Sequence, residues 1–274
     1  MNMNKPLKTI LPLALIAGLG LTGTASAALV ASDLNTGGVG GLETGFSDEW
    51  HNGSNNVYIS TAADLTYANY GISQTGDTQR IMASNAGPDR QGLRTLTTAM
   101  SGEIWFTVLV NVPTGGNYAG LTFNNTGNSY DPVTTGARIL MGATQLQVGL
   151  SGDAAATGTG SFSAGTTHLL LGQMTVGVGN DTLNGWVDPD VNAAGGPSGL
   201  GTANFTSTTV DFAASITDIG AAGARGTAAE VYSDAFRLSD TGTAFFDITG
   251  VSAIRNPQSP SPPPPPFSAS VASL

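Results

Sequence analysis

Cysteine is absent from this chain, and lysine occurs only at Lys5 and Lys8. Without cysteine there is neither a disulfide framework nor a thiolate metal site. The only histidines are His51 and His168, which excludes a multi-histidine metal centre as well. Charged residues make up 10% of the sequence, against about 25% in ordinary soluble domains. The charge that remains is one-sided. The formal net charge of −10 becomes −12 once the two lysines are removed with the leader described below. A surface of that sign repels phosphate backbones and anionic lipid, so nucleic-acid and membrane-surface partners are not expected.

What fills the gap is Gly, Thr, Ser, Asn and Ala, with 38 glycines in the 274 residues. That composition suits short strands joined by tight turns rather than long helices. At the N-terminus, Lys5 and Lys8 precede an apolar run over 10–21 and then Ala25-Ser26-Ala27. This is the order of a secretory signal peptide, with cleavage expected after Ala27. The apolar run is shorter than the roughly 20 residues a membrane helix needs. The predicted organisation is a signal peptide over 1–27, one domain over 28–254, and a Pro/Ser/Ala-rich tail over 255–274 with no core to bury. The mature chain is expected to be secreted, extracellular or on the cell surface, without a stable membrane span.

Within the domain, residues 103–112 (EIWFTVLVNV) carry the clearest strand pattern. Ile104, Phe106, Val108 and Val110 fall on one face, and Trp105, Thr107 and Leu109 on the other. Both faces are largely apolar, which predicts a central strand covered on both sides. Further strands are expected at 28–32, 57–60, 118–124, 167–178, 182–187 and 230–238, with a hairpin over 138–150. Residues 210–214 and 216–219 read as short apolar stretches, 220–227 as a flexible loop, and 239–250 as the close of the domain. His168 opens a buried-looking run and is expected to satisfy a local hydrogen bond.

Two constellations are candidates for binding. Tyr67 and Tyr70 lie in a loop-like stretch, followed by Arg80, Arg90 and Arg94. They form either a stacking and hydrogen-bonding surface for a sugar or acidic ligand, or a sandwich edge whose arginines pair with Asp77 and Asp89. Asp188, Asp190 and Asn192 have the oxygen spacing that opens a calcium loop. Ala193 stands where the sharp-turning Gly belongs and Gly199 where the closing Glu belongs, so a plain turn closed by Pro189 is the competing reading, and no cofactor is expected.

Three stretches taken in order, GEIWFTVLVNV, NDTLNGWVDPDV and YSDAFRLSDTGTAFFDITG, resemble laminin-G-like, concanavalin-A-like jelly-roll domains of exported bacterial proteins of the PEP-CTERM sorting type. The resemblance implies an all-β, antiparallel two-sheet β-sandwich, and carbohydrate binding or surface adhesion. Glucanases of this fold carry E-x-D-x-x-E on one strand. Glu43, Glu49, Glu103 and Glu230 are the mature chain's only glutamates and none fits, so no catalytic residue is assigned. The apolar span and basic cluster that follow Pro-Glu-Pro in PEP-CTERM tails are missing here. The expected function is therefore an exported, noncatalytic surface or matrix protein with an extracellular polysaccharide as partner. A polysaccharide hydrolase with atypical acids, drawn from Asp188, Asp190 and Asp234, and a self-associating matrix component are the alternatives.

Overall fold

A computed structural model describes residues 31–33, 57–60, 65–70, 80–83, 90–114, 118–124, 136–142, 146–149, 163–179, 181–212, 214–224 and 231–251. The predicted leader, the loop over 46–56 and the tail over 255–274 lie outside the described residues. In chain order the strands are β1 (Ala31–Asp33), β2 (Val57–Ser60), β3 (Arg80–Ala83), β4 (Arg90–Met100), β5 (Gly102–Asn111), β6 (Tyr118–Phe123), β7 (Ala137–Gly142), β8 (Leu146–Gly149), β9 (Thr167–Val176) and β10 (Thr182–Val187). A short helix α1 (Val191–Ala194) follows, then β11 (Phe205–Ser207), β12 (Ile216–Ala224), β13 (Val231–Ser239) and helix α2 (Ala244–Thr249).

These strands form two antiparallel sheets. The larger runs β11-β10-β9-β5-β13-β3-β2, with β1 also on β13; the smaller runs β4-β12-β6-β7-β8. The fold is the expected all-β, antiparallel two-sheet sandwich. No helix among the described residues is long and apolar enough to cross a membrane.

Strand β5 lies between β9 and β13, and its ladder with β9 is unbroken from Gly102↔Val176 to Asn111↔Thr167. The alternation along β5 divides two cores. Ile104, Phe106, Val108 and Val110 face the smaller sheet, where they meet Leu121, Phe123, Ile139 and Ile219. Phe106 and Phe123 have ring centroids 5.0 Å apart. Gly172, opposite Phe106 on β9, makes room for that ring: a Cβ there would meet Phe106 Cζ at 2.0 Å. On the outer face, Trp105 and Leu109 pack with Leu169, Leu171, Trp186, Tyr70, Phe245 and Ile248. The outer cover is helix α2, the stretch around Tyr70 and the turns after β10, so the central strand is covered on both sides as its pattern predicts.

One expectation needs correction. Residues 220–227 read as a loop, but β12 continues through Ala224 between β4 and β6. Gly220, Ala221, Ala222 and Gly223 carry no alternating pattern, and hydrogen bonding on both edges holds them as strand. The arginines after Tyr70 are divided between the two sheets. Arg80 begins β3 in the larger sheet and Arg90 begins β4 in the smaller, while Arg94 is fully buried along β4. Finally, the closing run contains α2, which ends at Gly250 with φ 68°, the left-handed conformation that glycine takes most easily.

Candidate functional site

The tyrosine and aspartate candidates occupy the outer face of the larger sheet, and most of their polar atoms already have partners. Tyr70 is buried. Its hydroxyl donates to the Ile248 carbonyl at 2.9 Å and lies 2.7 Å from Thr107 Oγ1. Burial, offset in part by the Thr107 hydrogen bond, pushes its pKa up to about 12. Tyr70 is thus a strut between β5 and α2. Tyr67 is half-buried, and burial followed by the negative charge of Asp188 pushes it up to about 12 too. Arg80 and Arg90 stand at strand starts in different sheets, and their side chains lie outside the described structure.

Asp188 follows β10 with φ 51°, a left-handed conformation that Asp and Asn tolerate better than most residues. One carboxylate oxygen accepts the Leu169 amide at 2.9 Å and the other meets His168 Nδ1 at 2.5 Å. Asp190 instead caps α1, accepting the Ala193 amide at 2.9 Å, and Asn192 sits exposed on that helix. The D-x-D-x-N spacing is therefore divided between a histidine clamp and a helix cap. Among the described residues no three acidic or histidine side chains gather as a metal site would need. Asp234, the third acid considered, is buried, with its oxygens on the Leu65 and Ala235 amides.

The His168–Asp188 clamp makes a pH-dependent contribution to stability. Burial pulls the His168 pKa down, but the hydrogen bond and charge of Asp188, with the Ser163 carbonyl, outweigh it and leave the group above its ordinary 6.5. A folded pKa raised over the unfolded one means stability fully present below about pH 6.5 and lost as pH rises through the folded value. Asp188→Asn keeps the left-handed turn and an acceptor for Leu169 while removing the charge. Urea melts across pH should show a loss of about 1 kcal/mol at acidic pH and a flatter profile in this window. An unchanged pH slope in the variant would overturn the clamp.

A concave feature among the described residues lies elsewhere on this face. A pocket of about 440 Å³ opens where β5 begins, β13 ends and α2 starts, and Pro197 adds its outer wall. The turn Ser101-Gly102 carries the chain from the smaller sheet to the larger, with Gly102 at φ 76°. It delivers Glu103 to the rim, where the side chain is exposed. Glu103 and Trp105 share a strand face, so Glu103 Oε1 accepts the Trp105 indole N–H at 2.8 Å. Asp240 follows β13, and partial burial raises its pKa above the usual carboxylate value. Thr241 and Thr243 continue the lining, tied below to Asp247, whose Oδ2 also accepts Ser239 Oγ at 3.0 Å.

The apolar wall is a relay of rings. Trp186 stacks on Trp105 at 5.8 Å, Trp105 meets Phe245 edge to face at 5.3 Å, and Phe245 meets Phe246 at 5.4 Å and 90°. Trp105 and Phe245 are almost wholly buried, and Phe246 is half-buried at the opening. Glu103 and Asp240 were not brought together by sequence reasoning. Each stands alone in its stretch, and only the β5–β13 pairing, with Ser239 opposite Trp105, makes them neighbours on one pocket.

No family model matches this chain, and no curated protein does. Solved structures resemble it at low identity. A mutant of the alginate lyase Aly36B in complex with alginate tetrasaccharide is 12% identical, with 68% of this chain and 97% of that one covered and a TM-score of 0.40. The carbohydrate recognition domain of Emp46p is 12% identical over 59% of this chain and 83% of that one, with a TM-score of 0.39. A structure described with endo-acting O-glycanases that human gut microbiota express to initiate mucin breakdown is 12% identical over 77% and 98%, with a TM-score of 0.43. The activities named are those of these proteins.

Proposed function

We propose that this chain is an exported surface or matrix protein that binds carbohydrate without cleaving it, through the pocket between β5, β13 and α2. The observation that carries this reading is the composition of that pocket: aromatic rings beside carboxylate and hydroxyl groups in a cleft of about 440 Å³. A pyranose ring has an apolar C–H face and a hydroxyl rim. The first packs on an aromatic ring such as Phe246; the second donates to carboxylates such as Glu103 and Asp240. The volume falls within the few hundred Å³ typical of small-ligand sites.

A glycan array on the mature protein, followed by titration calorimetry on the hits, tests it. Selective retention of oligosaccharides is expected, with no new reducing ends released. Phe246→Ala should weaken binding at least tenfold while the melting temperature falls only a few degrees. Absence of any glycan binding, or a variant with unaltered affinity, would overturn the proposal. One observation favours a second reading, hydrolysis. Asp240 lines the pocket together with Glu103, and desolvation raises its pKa above the usual carboxylate value, the direction a general acid needs. Release of reducing ends that disappears in Asp240→Asn would establish it in place of simple binding.

A further inference from the structure

The pocket has a sign as well as a shape. We propose that it selects glycans bearing free amino groups, such as oligomers of de-N-acetylated hexosamine, over N-acetylated and uronate chains. This rests on the carbohydrate-binding reading above. The ionisable side chains lining the pocket are Glu103 and Asp240; among the described residues no Arg, Lys or His lines it. Arg94, Arg138 and Arg237, on β4, β7 and β13, are not part of its lining. An ammonium group is therefore met by two carboxylates exposed to the cleft, and a uronate carboxylate meets like charge with no compensating base among those lining residues.

The start of α2 does not reverse this. A helix start can offer amides to an anion, but here the Ala244 amide donates to the Thr241 carbonyl at 2.9 Å and the Phe246 amide to the Thr243 carbonyl at 2.8 Å. Asp247 adds a negative charge in that first turn. Glu103 is also poised rather than loose. Its Oε1 is held by the Trp105 indole at 2.8 Å, leaving Oε2 for a ligand at the rim. The aromatic wall suits the same ligand, because a cation near a ring face is attracted by its quadrupole.

Three β-linked tetrasaccharides, of glucosamine, N-acetylglucosamine and a uronic acid, separate the outcomes by titration calorimetry at low salt, at a pH between the carboxylate and amine ranges. Glucosamine tetrasaccharide should bind at least tenfold more tightly than the N-acetylated chain, with the uronate weakest and the preference shrinking as salt is added. In a Glu103→Gln, Asp240→Asn double variant the amino-to-N-acetyl ratio should collapse to about one. The glutamine amide oxygen keeps an acceptor for the indole, and if the double variant melts early, Asp240→Asn alone should lower the ratio several-fold. A preference that survives in the variants belongs to the acidic surface at large and overturns the inference. N-acetylated or uronate chains binding as well as the amino chain overturn it while carbohydrate binding stands. If no oligosaccharide binds, both readings fall.

Discussion

Replacing Trp105 with alanine should cost the folded chain roughly 3–5 kcal/mol. Trp105 is 2% exposed in the middle of the outer core of the larger sheet. It stacks on Trp186, takes the edge of Phe245, and anchors Glu103 through its indole N–H. No smaller side chain fills that volume, and β5 cannot move outward because β9 and β13 hold it on both edges. The cavity therefore persists, and its cost adds to the lost burial. Trp105→Phe should recover a large part of the loss while leaving Glu103 without its donor. Urea melts of both variants check this. A Trp105→Ala protein within about 1 kcal/mol of the parent would show that α2 and the outer core contribute little to the fold. The same substitution should abolish glycan retention, since Trp105 lines the pocket and its indole N–H positions Glu103.

An equally large effect is expected from a single methyl group at Gly136. This residue precedes β7 with φ 92°, and its amide donates to the Asp211 carbonyl at 2.9 Å. A Cβ there would sit 2.3 Å from the Phe123 carbonyl oxygen and 3.1 Å from the Asn124 carbonyl carbon. The obstacles are backbone atoms at the end of β6, which cannot rotate away as a side chain could. Conformational strain at positive φ and steric overlap therefore add, and Gly136→Ala should lose roughly 2–5 kcal/mol. Since β6 and β7 are paired from Tyr118↔Gly142 to Phe123↔Ala137, the register of the smaller sheet should loosen. Amide hydrogen exchange would show faster exchange along β6 and β7. Unchanged protection there, with unchanged stability, would refute the close approach.

How far the fold could be read from residues alone varies by element. The period-two alternation of Ile104, Phe106, Val108 and Val110 against Trp105, Thr107 and Leu109 was enough to place β5 at the centre, because both faces of a strand are visible in its own sequence. The ends of β9, β10 and β13 were legible for the same reason. Strand β12 was not: Gly220-Ala221-Ala222-Gly223 has too few side chains to alternate, and its conformation comes from partners on both edges. Helix α2 was not legible either, since its six residues make fewer than two turns and show no repeat, and its stability comes from Phe245 and Ile248 packing on β5.

The candidate site divides in the same way. Composition alone settled that no cysteine or multi-histidine metal chemistry operates here, and that acidic residues outnumber basic ones, 19 Asp and Glu against 9 Lys and Arg. Those are properties of a residue list and need no geometry. Which acids matter is a different kind of fact. Asp188 and Asp190 are close in sequence and suggested a shared ligand, yet local backbone geometry gave one to His168 and the other to a helix cap. Glu103 and Asp240 are far apart in sequence and suggested nothing. They line one pocket because β5 and β13 run antiparallel, with Trp105 opposite Ser239, and because α2 folds back across that end of the sheet. Strand patterning is a local property and can be read locally. A pocket is made by non-local pairing, so only the tertiary structure decides which residues share it.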